Sequence, residues 1–482
     1  MIKEFFKHGL VYGAANFISG MGTIVLVPVY THALAPSEYG VVDYVGVVQI
    51  LIQICAGLEI TQAIALYCAS AETDDERRAY ASTGLWFLIA SFGLVCLAFY
   101  LTARAFGTQR IGLGQSASLF GIALLSVYAR MLFYALQGQL RWQFRSDLYS
   151  AASLVAMAGS VGLIAYLLLV RRVGLPGVFA GLTVGYGAGC AFCLVSLRHT
   201  YRWLFDRAKF RQMLSFSLPL VVSSLGLFLA GYGDRLILKS ALGFHELGLY
   251  GIAARVAGVI TLAINGFQLG AAPLIYRHYD QPYAPAALAQ VIRLFLVAGL
   301  LGVVGLAAFS IELLRLFTTP EYAAAWRVVP VLALAIVLAN LYMFTPGLIV
   351  GNMTRRFALI NVVTAVVTLL MIAGLLRMFG VVGAAFGVLA GSASGFAMHA
   401  AFSQKVYRIP IEWGRLGAGM AITASTIVVT WMLGSSGLIS LSARFLVFAA
   451  ASAALVLVLS TPGERALIHG ALVSRSLSSW TL

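Results

Sequence analysis

Charged side chains are scarce in this sequence, and several fall where charge is expensive. Glu59, Arg130 and Arg255 lie inside apolar runs long enough to cross a membrane, and Asp43, Asp234 and Arg235 lie near the ends of such runs. Ionisable groups at membrane depth are costly, which makes each a candidate for substrate binding, ion coupling or gating. Glu59 has three readings: a proton or cation site, a partner for an arginine, or a protonated, hydrogen-bonded carboxyl. Arg130 stands about seven residues, roughly 10 Å of helix, from the inner end of its span. There it can either snorkel to the interface or line a cavity. Arg255 is about eight residues into its span from the outer side at 1.5 Å per residue, a depth that suits a cavity position. Asp234 and Arg235 read as gate residues or as an exposed interfacial pair, and Asp43 is likewise near an outer end. Gln49, Gln53, Asn340 and Asn361 add amides that either bridge helices or line a wet cavity.

The elements that must position these groups follow from composition. Of 482 residues, 61% are hydrophobic and 10% charged, with a mean hydropathy of +0.93. Soluble domains carry about 25% charged and about 45–50% apolar residues, so no soluble core could hide this surface. The chain reads as an all-α polytopic membrane protein of about 14 transmembrane helices. The candidate spans are about 9–31, 41–69, 81–103, 112–137, 148–170, 174–197, 212–233, 247–270, 291–311, 325–350, 358–378, 381–402, 416–434 and 441–460. The basic start and long apolar continuation of the N-terminus read as the first span rather than a cleaved signal. A net charge of +15 can mark nucleic-acid binding. Here the Lys and Arg lie mainly in short loops, so topology explains them and no nucleic-acid partner is expected. Placing the N-terminus inside puts most of them on the cytoplasmic face, and both termini are predicted cytoplasmic. The cysteines Cys55, Cys68, Cys96, Cys190 and Cys193 lie in or beside apolar runs. With no His or acid near the Cys190–Cys193 pair, all are predicted to be free thiols and no metal is expected.

Internal repeats set the domain plan. The segment Leu34–Gly40 matches Leu242–Gly248 at an offset of 208, and Gly138–Phe144 matches Gly351–Phe357 at 213. Tyr201 and Arg202 match Tyr407 and Arg408 at 206. A glycine ladder, Gly177, Gly181, Gly185 and Gly189, recurs as Gly383, Gly387, Gly391 and Gly395, again at 206. Glycine every fourth residue makes a smooth helix face for close packing. Each repeat holds six spans, an even number, so the halves are parallel repeats about an axis along the membrane normal. The expected plan is two pseudo-symmetric six-helix lobes, residues 1–197 and 212–410, joined by a cytoplasmic amphipathic linker, residues 198–211. A C-terminal helix pair and cytoplasmic tail, residues 411–482, has no counterpart. The basic, aromatic linker suits an interfacial helix on anionic lipid.

No nucleophile elbow, HExxH, Walker motif or metal-ligand cluster is present, so an enzyme is disfavoured. Two stretches carry a family resemblance. Gly231, Gly233, Asp234 and Arg235, followed by Glu246, Gly248, Tyr250 and Arg255, resemble the seventh and eighth spans of polysaccharide flippases. Pro28 and the segment Leu34–Gly40 resemble their first two spans, and Gly138–Phe144 their fourth inner loop. These are the O-antigen and exopolysaccharide exporters of the MOP superfamily, related to lipid II flippases and MATE exporters.

The resemblance implies alternating access between the lobes. It implies an undecaprenyl-diphosphate-linked oligosaccharide, flipped from the inner to the outer leaflet of the bacterial cytoplasmic membrane for polysaccharide biosynthesis. Partners would be that substrate, the bilayer and the polysaccharide polymerase machinery. No cofactor is implied beyond a coupling cation, H+ or Na+. Arginine's fixed charge and bidentate fork suit a diphosphate, which makes Arg255, Arg130 and Arg235 the diphosphate candidates. Glu59, Asp234 and Asp43 are then the coupling or gate candidates. The alternatives are a MATE-like cation-coupled drug antiporter, which needs an acidic cavity, and a membrane glycosyl polymerase or ligase, which needs a large outer loop.

Overall fold

The computed structural model describes residues 22, 25–106, 117–262, 264, 281–351, 353–434 and 438–465. Among them all regular structure is helical, as a lipid environment demands, because a helix satisfies its backbone polar groups internally. Ten helices are long and apolar enough to span a bilayer. Two of these are hairpins rather than single rods. In α8, Arg207–Ala257, Gly243 adopts φ +85°, and in α11, Thr354–Val406, Gly380 adopts φ +58°. Positive φ is open to glycine without strain, and each glycine turns the chain back on itself. Sequence spans 7 and 8 are thus the two arms of α8, and spans 11 and 12 the two arms of α11. Of the first span, only residues from 22 onward are described.

The chain divides into two compact units: residues 1–251 with 317–322, and residues 252–316 with 323–482. The first holds α1 (residues 25–33), α2 (Pro36–Gly57), α3 (Ile60–Ser70), α4 (Asp74–Phe106), α5 (Ala117–Trp142), α6 (Ser146–Ala165, prolonged by a π turn), α7 (Leu175–Ser196) and most of α8. Its core is built where α5, α6 and α7 meet, around Phe133, Leu136, Ala156 and Cys193. The ladder of α7 faces α6. A Cβ at Gly181 would meet Ile164, one at Gly185 would overlap the Ser160 backbone, and one at Gly189 would strike Ala156 and Phe133. Within α11 of the second unit the same pattern recurs, with Gly387 against Ile372, Gly391 against Thr368 and Gly395 against Thr364. Even the turn before each ladder agrees: Gly174 and Gly380 both have positive φ.

Three expectations are corrected. The span 41–69 is two helices, because Leu58 and Glu59 both adopt left-handed backbone, with φ 48° and 53°. Glu59 therefore sits at a break, half-buried, and not inside a continuous span. The linker is not an interfacial helix. Residues 201–206 are non-helical and pinned to the first turns of α4. Ser82 and Thr83 accept from the Arg202 and Asp206 amides, the Trp86 indole donates to the Arg202 carbonyl, and Trp86 stacks on Trp203 at 4.4 Å. Asp206 then caps α8, accepting from the amides of Ala208 and Lys209, a satisfaction of orphan N–H groups that starts a helix. The span 325–350 is also interrupted. Pro346 disfavours helix at the residue before it, and Thr345 accordingly leaves the helix after α10, Val328–Asn340, and the 3-10 turn Leu341–Phe344.

The second unit also contains α9, Ala284–Phe317, and the C-terminal helices α12, Trp413–Met432, and α13, Leu438–Leu459. Ion pairs tie the C-terminal pair to α9 at two levels. Arg293 reaches Glu464 at 2.7 Å and Glu412 at 3.4 Å. Further along, Arg444 of α13 bonds Glu312 at 2.5 and 3.1 Å and the Ala308 carbonyl at 3.2 Å.

Candidate transport site

Arg130 lies in the middle of α5, not near its end. The helix runs on to Trp142, leaving about 18 Å of helix on either side at 1.5 Å per residue. It continues because Gln137 and Gln139 are buried, the former donating to Ser153 and the Tyr149 carbonyl. The span is longer than the sequence reading made it, with Arg130 farther from its inner end. The guanidinium faces two rings, Tyr134 at 5.7 Å on its own helix and Tyr186 at 5.5 Å on α7, with Nε 3.4 Å from the Tyr134 hydroxyl. Among the described residues no carboxylate pairs with it. The result is a cation held by aromatic faces, beside Tyr134, which is 38% exposed. Sequence inspection gave Arg130 but not its tyrosines. Tyr134 follows at i+4, a helical neighbour, whereas Tyr186 comes from a distant helix and left no signal.

A second charged group forms where α2 meets α8. Arg235 donates from Nε to Asp43 at 3.1 Å and from Nη1 to Asp234 at 3.2 Å. Asp234 also accepts from the Arg235 amide at 2.8 Å and from the Tyr250 hydroxyl at 2.5 Å. The three charged side chains are 9–16% exposed, so the exposed-pair reading of Asp234 and Arg235 does not hold. Two carboxylates face one guanidinium, giving the cluster a formal charge of −1. Asp43, Arg235 and Tyr250 share a depth, each seven or eight residues from Ala35 or Gly243, where the chain turns, or about 10–12 Å along a helix.

The same elements make the tightest backbone approach in the unit. A Cβ at Gly40 would overlap the Phe244 carbonyl, and one at Gly248 would overlap the Pro36 carbonyl. Pro36 and Phe244 are equivalent in the repeat, as are Gly40 and Gly248, so the matched segments 34–40 and 242–248 pack on each other about a local two-fold axis. A small-xxx-small face permits such contact. The same end of α2 is gripped by residues 317–322: Tyr322 donates to the Leu34 carbonyl at 3.0 Å, and Thr319 to the Thr31 carbonyl at 3.2 Å.

The structure thus brings Asp43, Asp234 and Arg235 together and places Arg130 in a separate aromatic setting. Arg255 is half-buried in the last turn of α8 and belongs to the second unit. Glu59 stands at the α2–α3 break. The Arg444–Glu312 pair was missed. Arg444 falls in the first turn of the span 441–460, and nothing in sequence links it to a residue 132 positions away. Among the described residues no group of His, Cys, Asp or Glu could hold a metal, and the cysteines are free thiols.

Comparison with known proteins narrows the site's meaning. Residues 5–277 match the family described as "Polysaccharide biosynthesis protein". The EPS I polysaccharide export inner membrane protein EpsE of Ralstonia nicotianae is 22% identical over 256 residues, 52% of this chain and 58% of that protein. The match therefore spans little more than half the relative's length. Among solved structures, the lipid II flippase MurJ in an inward closed conformation matches with a TM-score of 0.71, covering 95% of this chain and 100% of that one at 13% identity. An inward-facing multidrug resistance MATE family transporter of the MOP superfamily matches at 0.63, covering 82% and 94% at 14% identity. The chain shares the fold of these solved proteins. With more than half its length matched, the chain belongs to the polysaccharide biosynthesis protein family.

Proposed function

We propose that this protein flips an undecaprenyl-diphosphate-linked oligosaccharide from the inner to the outer leaflet of the bacterial cytoplasmic membrane, with both termini cytoplasmic. The observation that carries the reading is Arg130: a mid-helix cation beside two adjoining tyrosine rings, with no carboxylate partner among the described residues. A lone intramembrane cation attracts an anion, and a guanidinium can bind a phosphate group in a bidentate way. Neighbouring tyrosine faces can stack on sugar rings. The family and the export relative support a saccharide cargo. The repeat supports two six-helix lobes, 1–197 and 212–410, that alternate access. An inside-negative potential favours outward movement of an anion by about 2.3 kcal/mol per charge per 100 mV, so net export needs no nucleotide. A drug antiporter is disfavoured because Asp43 and Asp234 already share Arg235 and are not offered to a cationic drug.

The test is transport of a lipid-diphosphate-linked oligosaccharide across proteoliposomes holding the full chain. Arg130→Gln should lower initial rates at least tenfold and Tyr186→Phe much less, with protein abundance unchanged. Full activity of Arg130→Gln would refute the assignment.

A further inference from the structure

The repeat supplies each unit with an equivalent arginine, and the two arginines have different surroundings. Tyr201 and Arg202 follow the glycine ladder of α7, and Tyr407 and Arg408 follow that of α11. Arg202 bonds Asp75 at 2.8 Å, one of three acids in the first turn of α4. The counterpart of α4 in the second unit is α9, which opens with no acid in its first turn. At this end of the second unit the carboxylates Glu412 and Glu464 are engaged by Arg293 and Arg415. Among the described residues Arg408 therefore has no acid to pair with, and it is exposed.

A groove of about 450 Å³ lies beside it, lined by Gln404, Arg408, Ile409, Pro410 and Trp413. Its backbone is fixed. The Gln404 side chain donates to the Ile409 carbonyl and accepts from the Ile409 amide, both at 2.9 Å. The Ile409 side chain is buried, and proline at 410 restricts the chain further. Trp413 is the first residue of α12. Its ring packs on Phe396 at 6.4 Å and is still 51% exposed, which leaves an indole N–H as a second donor.

The level of the groove and its charge define what fits. Val406 ends an arm of α11, a helix hairpin long and apolar enough to cross a bilayer, so residues 407–412 lie at the polar boundary, where tryptophan is at home. The neighbouring charges are positive: Lys405, which faces the Phe402 ring at 5.4 Å, and the exposed Arg355 and Arg356 at the other end of the same hairpin.

We propose that this groove binds the phosphodiester headgroup of an anionic phospholipid, with Arg408 as the charged donor. A guanidinium can hold a phosphate through two parallel bonds, and basic pockets at the membrane boundary take anionic headgroups. Exposed Val406 and Trp413 offer apolar surface to the glycerol and first methylenes of a lipid, which a free phosphate would leave uncovered. A headgroup seated there ties the last turn of α11 to the first turn of α12. The site is separate from Arg130 and takes a bilayer lipid rather than the cargo.

The test is native mass spectrometry of the full chain in detergent with equal amounts of phosphatidylglycerol and phosphatidylethanolamine. The first lipid bound by the parent should be phosphatidylglycerol by about fivefold, the worth of one basic residue facing an anionic headgroup. Arg408→Gln should lose most of that preference and Arg408→Lys should keep more of it. Arg202→Gln, which removes the arginine already paired with Asp75, should leave it unchanged. Absence of the preference in the parent, or an equal loss in Arg202→Gln and Arg408→Gln, overturns the proposal. So does displacement of the lipid by inorganic phosphate, which would make this a site for the free anion. No saccharide carrier is in the mixture, so failure here leaves the cargo assignment standing, and Arg130→Gln tests that assignment alone.

Discussion

Glu312→Gln should damage this protein more than Arg444→Met, although the two residues share one ion pair. Arg444 is 2% exposed, whereas Glu312 is 31% exposed. Removing the carboxylate leaves a buried guanidinium with no compensating charge, beside the Ser440 and Ala308 carbonyls, each at 3.2 Å. Breaking a buried pair in this way costs about 3–5 kcal/mol. Removing the arginine leaves a partly exposed carboxylate, for which about 1–3 kcal/mol of lost satisfaction is the appropriate scale. The double substitution removes both charges and should recover much of the loss, since an apolar replacement of a buried pair is often neutral. The assay is thermal stability of the purified full chain in detergent, followed by the fraction remaining monodisperse after heating. The expected order is parent, double variant, Arg444→Met, Glu312→Gln. If Glu312→Gln is as stable as the parent, or more stable than Arg444→Met, the pair does not anchor α13 to α9 as described.

Gly40→Ala and Gly248→Ala should each lower heat stability sharply, since the new methyl would meet a backbone carbonyl that cannot move aside. Gly46→Ala, which meets nothing within 4 Å, should be neutral in the same measurement. The C-terminal clamp should be acid-sensitive. Burial alone would raise the Glu464 carboxyl, but hydrogen bonds from Arg293 and Thr461 hold it below the ordinary carboxylate range. A carboxyl depressed in the folded state stabilises above its unfolded value, about 4.3 for Glu, and that contribution is lost as pH falls through the folded one. The melting temperature should therefore drop below about pH 4 in the parent and less steeply in Glu464→Gln; equal slopes would remove Glu464 from the clamp.

What the sequence revealed depended on whether a feature was local or periodic. The glycine ladders and the Leu34–Gly40 repeat were visible as spacing, and the structure shows why: both are faces where another backbone comes within contact distance. The hairpin glycines Gly243 and Gly380 lay between paired apolar runs, so the four arms could be separated. The break at Leu58 and Glu59 was hidden, because neither residue type ordinarily prefers left-handed backbone and the apolar run passes through it. The end of the Arg130 helix was placed too early because Gln137, Gln139 and Arg141 look like a loop. Two buried amides instead carry the helix a further turn. The linker's shape depended on Ser82, Thr83 and Trp86, more than a hundred residues earlier. The partners of Arg235 depended on α2 meeting α8. No window along one segment contains such information.

The two-fold character of the α2–α8 crossing has a consequence for ancestry. If one copy of the repeat had once paired with another as a symmetric dimer, this contact would have lain on the dyad, each motif facing its own twin. Position 43 would then have faced its own equivalent, and an aspartate there would have set two carboxylates against each other with no cation placed to separate them. Joining both copies in one chain lifts that constraint. One copy can keep a glycine at position 251 while the other gains an acid at 43, and a single arginine at 235 can serve both. A charge network at this point is thus available to a fused, diverged chain and would be denied to a symmetric dimer of one copy.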